Sequence, residues 1–126
     1  MILDKGPSAR PFSSNYLTYP DGAHWTPAAD FTLEAVVSFT SIASLAYIFN
    51  HYLASGNQRS INLLYNTGNS LQLTLSTLGS NVATLTHSWS PATDGTKYHV
   101  AADRSGSTVR LYVDGSVVDT DTVSGA

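Results

Sequence analysis

The sequence has no cysteine in its 126 residues. Disulfide stapling, thiolate nucleophiles and cysteine-ligated zinc are thereby excluded. The redox compartment stays open, because a chain without thiols fits either environment. Charge is also scarce. Charged residues make up 12% of the chain, well below the roughly one quarter of ordinary soluble domains. Glutamate occurs once, as Glu34. The basic residues Lys5, Arg10, Arg59, Lys97, Arg104 and Arg110 are scattered, and the net charge is -3. A surface that tracks phosphates needs a dense positive patch, so no nucleic-acid partner is expected. No apolar run approaches the roughly 18 residues of a membrane-spanning helix, and no signal-peptide apolar stretch opens the chain. Membrane insertion is therefore not expected.

What is present is a hydrophobic share of 42%, enough for one core in one domain of this length. Its spacing is that of strands. Phe31, Leu33, Ala35, Val37 and Phe39 recur at period two, with Thr32, Glu34, Ser38 and Thr40 on the other face; this is the pattern of a half-buried strand. Tyr47 to His51 reads as a second strand, with a short helix over Ile42 to Tyr47 as the competing reading. Ile61, Leu63 and Tyr65 alternate, Asn66-Thr67-Gly68-Asn69 turns, and Leu71, Leu73 and Leu75 return. Gly79-Ser80-Asn81 reads as a turn before a strand over Val82 to His87. Tyr98, Val100 and Ala102 alternate, as do Val109, Leu111 and Val113. Asp114-Gly115 is a two-residue hairpin signal, and Val117-Val118 begin another strand. The polar run Asp119-Thr120-Asp121-Thr122 lacks the apolar alternation of a further core strand. Met1 to Asp30, with Pro7, Pro11, Pro20 and Pro27, is too rich in proline for regular ladders beyond short pieces such as Asn15 to Tyr19. Seven or eight short strands separated by turn residues predict an all-β sandwich or barrel.

The chemistry these residues offer is modest. Glycoside hydrolysis needs two facing carboxylates, and Glu34 has no acidic neighbour in sequence. It reads as a solvated side chain. No Gly-x-Ser-x-Gly elbow or phosphate-cradling glycine loop occurs. The histidines His24, His51, His87 and His99 show no metal-binding spacing. Calcium needs several oxygen ligands at one point. Asp21, Asp94 and Asp103 are the candidates, on the condition that their loops share one end of the sandwich. Aromatic rings are numerous, and rigid amphipathic rings bind sugars and proteins well. Trp25 and Trp89 sit beside prolines in expected loops. They are the candidate binding rings, although a plug closing the core is the competing role for Trp25. With Asn57 and Arg59 they form the expected ligand-binding set.

Three stretches carry a resemblance: Asn15-Tyr16-Leu17-Thr18-Tyr19-Pro20-Asp21 with Trp25 and Asp30-Phe31-Thr32-Leu33-Glu34-Ala35; Gly56-Asn57-Gln58-Arg59-Ser60; and Tyr98-His99-Val100-Ala101 followed by Asp103 to Gly115. In this order the chain resembles the first two-thirds of a concanavalin A-like jelly roll of the laminin G-like type. Val36 stands where family members often carry tryptophan. The resemblance implies two antiparallel sheets, residues 1–14 as an N-terminal extension and 15–126 as the domain. Many members are non-catalytic modules that bind glycans or proteins, some with calcium at one rim, and similar domains are frequent in bacterial surface and tailed-phage virion proteins. The enzymatic relatives carry a Glu-x-Asp-x-x-Glu strand that this sequence lacks.

Family members usually continue through a Leu-x-Ile-Gly strand and a Gly-x-Ile-Asp-x-hydrophobic strand, which are absent here. The expectation is thus a jelly roll lacking its usual last strands. Either the sequence is a fragment, or residues 1–10 fold back over the gap, or a second copy or a strand-completing partner supplies the missing edge. The function expected is a non-catalytic structural or adhesive module of a larger assembly on a virion or cell surface. A carbohydrate-binding module, with or without calcium, is the alternative.

Overall fold

A computed structural model describes residues 2–4, 30–52, 59–77 and 80–123. Among them are nine strands: β1 (Ile2–Asp4), β2 (Phe31–Ser38), β3 (Ala46–Tyr52), β4 (Arg59–Asn66), β5 (Ser70–Thr77), β6 (Ser80–Ser88), β7 (Tyr98–Ser105), β8 (Thr108–Val113) and β9 (Ser116–Thr122). They form a five-stranded sheet in the order β1-β2-β7-β8-β9 and a four-stranded sheet in the order β3-β4-β5-β6. All pairings are antiparallel. This is the expected all-β sandwich.

The period-two residues build the core. Val37, Phe39, Leu71, Leu73, Leu75, Val100 and Leu111 are buried, and Phe31, Leu33, Ala35 and Val113 pack against them half-buried. Ile61, Leu63 and Tyr65 supply the central strand of the other layer, with Ala83 and Leu85 from β6. In β4, β5 and β8 every second side chain is buried, because a strand exposes its two faces alternately. No helix forms over Ile42 to Tyr47; that stretch bends and β3 begins at Ala46. Ser80 and Asn81 lie inside β6 instead of in a turn, with a register shift opposite Leu75 and Ser76.

Two turns follow their residue chemistry. Asn69 takes a positive φ of 57° and its N–H donates to Asn66 O at 3.1 Å; asparagine tolerates that region better than branched residues do. Asp114 and Gly115 have φ of 49° and 81°, as a two-residue hairpin with the strand twist requires. The Asp114 carboxylate also accepts the N–H of His99 at 2.9 Å.

The polar run Asp119 to Thr122 lacks apolar alternation, yet it continues the strand that Val117 and Val118 begin. It belongs to β9, which pairs with β8 from Thr108↔Thr122 to Val113↔Ser116. The strand is followed by Val123, which is buried and whose N–H donates to Ser107 O at 2.8 Å. Residues 2–4, expected in an extension, form β1 against Val36 to Ser38. The chain's own beginning thus lies beside β2. Asn15 to Tyr19 lies outside the described residues.

Candidate functional site

Of the expected ligand-binding set, Trp25 and Asn57 lie outside the described residues, and Arg59 is described only as the first backbone position of β4. Trp89 is described, and it faces the core. Its ring meets Phe39, Tyr65 and Tyr98 edge-on at centroid distances of 5.7, 6.1 and 5.1 Å. The Tyr65 hydroxyl donates to Trp89 O at 2.8 Å and lies 3.3 Å from Asn69 Oδ1, and Trp89 N donates to Asn69 O at 2.8 Å, so the cluster ties the β4–β5 turn to the end of β6. Edge-to-face rings and a satisfied buried hydroxyl are packing chemistry. Burial raises the Tyr65 phenol above its ordinary pKa. Trp89 is thus a plug at one end of the sandwich.

Of the calcium candidates, Asp21 lies outside the described residues. Asp94, in the loop before β7, accepts the Thr96 hydroxyl at 2.5 Å and the Thr96 N–H at 3.0 Å. These bonds, the hydroxyl first, hold its carboxyl below the usual aspartate range. Asp103 sits five residues into β7, about 16 Å along the strand from Tyr98 at about 3.3 Å per residue. There it accepts the Tyr112 hydroxyl at 2.9 Å and pairs with Arg110 at 3.3 Å. Asp94 and Asp103 thus have separate partners, Thr96 for the first and Tyr112 with Arg110 for the second. No group of three or more His, Asp or Glu side chains suited to a metal occurs among the described residues.

The two outer faces of the sandwich differ in chemistry. On the five-stranded sheet, outward positions carry ionisable side chains that pair with one another. Glu34 and His99 meet at 3.2 Å, a diagonal pair that the β2–β7 register creates. Alongside, the Tyr112 hydroxyl and then the Asp103 carboxylate push the Arg110 guanidinium above the usual arginine range. Between the two groups lies Ala101, buried, opposite Glu34 on one side and Tyr112 on the other.

On the four-stranded sheet the outward row Tyr47, Leu64, Gln72, Thr86 runs beside the row Asn50, Asn62, Thr74, Thr84. Their strand neighbours Ile61, Leu63, Tyr65, Leu71, Leu73, Leu75, Ala83 and Leu85 point into the core. Neither row contains a charge. They hold amides, hydroxyls, one leucine and one ring, and Tyr47 is 49% exposed. Asn62 Oδ1 is enclosed and has no hydrogen-bond partner among the described residues; such an acceptor is costly until a donor reaches it. This neutral face was not singled out from sequence. Its signal was there, as amide and hydroxyl residues interleaved with the core leucines, but that pattern is shared by any solvated sheet face. The pairing of rows across strands is a property of register.

A laminin G-type family model, described as the concanavalin A-like lectin/glucanases superfamily, matches residues 12–126. Comparison with curated proteins and with solved structures gives no match. The chain belongs to the concanavalin A-like lectin/glucanases superfamily.

Proposed function

We propose that this domain is a non-catalytic adhesive module of a larger assembly, carried on a virion or cell surface, and that it holds a neutral glycan against the outer face of its four-stranded sheet. One observation carries the reading: both outward rows of that sheet are free of charge and rich in amides and hydroxyls, with the exposed Tyr47 ring at one side. Sugars are polar in their hydroxyls and apolar on their C–H faces. They suit a surface of amide and hydroxyl partners beside an amphipathic ring.

The absence of catalysis is part of the proposal. Glycosidases set two carboxyl groups about 5–9.5 Å apart. The single glutamate, Glu34, lies on the opposite sheet with a histidine as its partner. Binding should be unaffected by chelators, since the neutral rows offer no carboxylate to calcium. It should also be nearly independent of salt, since no ion pair is involved.

A glycan array with the wild-type chain, Tyr47→Ala and Asn50→Ala tests this. Retention of a neutral glycan that falls about tenfold or more in both variants supports the proposal. Retention unchanged in both, or turnover of a β-glucan abolished by Glu34→Gln, overturns it.

A second reading concerns partners. Among the described residues β3 is paired only with β4, and Leu45 beside it is 45% exposed. A second copy or a partner strand could pair along this edge. Light scattering coupled to size exclusion decides this: a sharp, stable monomer near 13.4 kDa at micromolar concentration excludes it.

A further inference from the structure

The strongest unexplained feature lies where the two sheets meet at β6 and β9. β6 is the last strand of the four-stranded sheet, paired on one side with β5. An edge strand turns every second N–H and C=O away from its sheet, which makes it a template for any extended chain. Here two of the outward N–H groups, at the middle of the strand, are already taken. Thr84 N donates to Asp121 Oδ2 at 2.9 Å, and Thr86 N donates to Asp119 Oδ2 at 2.8 Å. The remaining oxygens are used as well, since Asp119 Oδ1 accepts Thr120 N at 2.9 Å and Asp121 Oδ1 accepts Thr122 N at 2.8 Å. Each carboxylate bridges the backbone of β9 to that of β6.

The spacing explains why the arrangement works. Thr84 and Thr86 are two residues apart on one strand, and Asp119 and Asp121 are two residues apart on the other. Both pairs therefore repeat at the same period of about 6.6–6.8 Å. An incoming strand would present its carbonyl oxygens to these N–H groups at that period. The two aspartates imitate it with side chains. Carboxylate is suited to the task because both of its oxygens accept, whereas an amide offers one acceptor and a donor that would face an N–H. Two negative charges beside the edge also disfavour approach of a carbonyl-lined strand.

We infer that Asp119 and Asp121 guard the β6 edge against strand addition, so that this side of the sandwich is closed to edge-to-edge association. The guard is independent of the glycan face, because it engages the backbone of β6 and leaves the outward side chains of the sheet untouched.

The test compares wild type with Asp119→Ala/Asp121→Ala, and with the same double variant carrying Thr84→Pro. Proline removes the N–H at position 84 without removing a ladder bond to β5, because that N–H points away from the sheet. Amide exchange at Thr84 and Thr86 should be at least tenfold faster in dilute double variant than in wild type. Self-association measured by light scattering should tighten at least tenfold, and Thr84→Pro should reverse that gain. Association unchanged from wild type overturns the inference, and so does association that Thr84→Pro leaves intact. If the double variant fails to unfold cooperatively, the single variants Asp119→Ala and Asp121→Ala carry the same test, since each keeps one of the two bridging bonds. Unchanged exchange at the amide each one frees would overturn the inference equally.

Discussion

The five-stranded and four-stranded sheets share one core and differ in what they turn to solvent. The first carries ionisable pairs: Glu34 with His99, and Asp103 with Arg110 and Tyr112. The second carries none across its two outward rows. Both follow the same period-two rule on the inside. The difference shows that inner faces answer to packing, which tolerates little change, while outer faces are free to diverge. The absence of charge from those two rows is what suits them to the uncharged ligand proposed above.

The largest expected effect probes the shared part of that comparison. Leu73 in the four-stranded sheet and Leu111 in the five-stranded sheet are both fully buried. Leu73→Ala and Leu111→Ala should each cost about 2–5 kcal/mol through lost transfer energy and the cavity left behind. Urea unfolding of both variants checks this. A cost below about 1 kcal/mol at one position would mean that its sheet does not share the core.

Tyr65→Phe is the next step down. It leaves Trp89 O and Asn69 Oδ1 without the hydroxyl that serves them, and should cost about 1–3 kcal/mol. The same hydroxyl predicts an alkaline limit. Burial raises the phenol's pKa in the folded state. The stability it contributes is complete below the pKa of an unfolded tyrosine and is lost as pH rises through the folded value. Unfolding monitored at increasing pH should show this loss in wild type, with the Tyr65 component gone in Tyr65→Phe. Identical alkaline profiles would count against it.

Asp103→Ala tests the charged face. The pair with Arg110 is part-exposed, so the shift in unfolding midpoint should be smaller than for Tyr65→Phe and should shrink as salt rises. A shift that is independent of salt would assign Asp103 a packing role. The smallest effect on stability belongs to the neutral face. Tyr47→Ala should change stability by no more than about 0.5 kcal/mol, since the ring is half exposed, while removing glycan retention. A large loss of stability would make Tyr47 a structural residue and blur the contrast between the faces.

Much of the fold is legible in the sequence. The alternation at Phe31 to Phe39, at Leu71 to Leu75 and at Val109 to Val113 identified strands and core together, because side-chain direction along a strand depends on local geometry alone. Asp114-Gly115 announced its hairpin for the same kind of reason. The aspartates of the run Asp119 to Thr122 break the apolar pattern, yet the run completes β9 through its backbone ladder with β8, and the carboxylates reach backbone N–H groups of a strand more than thirty residues away. The site was less legible than the fold. Trp89 looked like a binding ring because it follows a strand and precedes a proline, and only its contacts with Phe39, Tyr65 and Tyr98 show that it closes the core.

The sequence by itself determined the strands, the hairpin turns and the residues that face inward, since each depends on neighbours one to four positions apart. It also determined the absence of thiol chemistry and the scarcity of charge. The tertiary structure decided which strands became edges, which charges met, and which uncharged side chains were gathered on one face. Those outcomes depend on register between strands distant in the chain: Glu34 reaches His99, Asp121 reaches Thr84, and Tyr47 shares a row with Gln72. Within a hairpin the turn fixes register, but between strands distant in the chain it is set by which faces the core buries, and no local stretch of sequence specifies that.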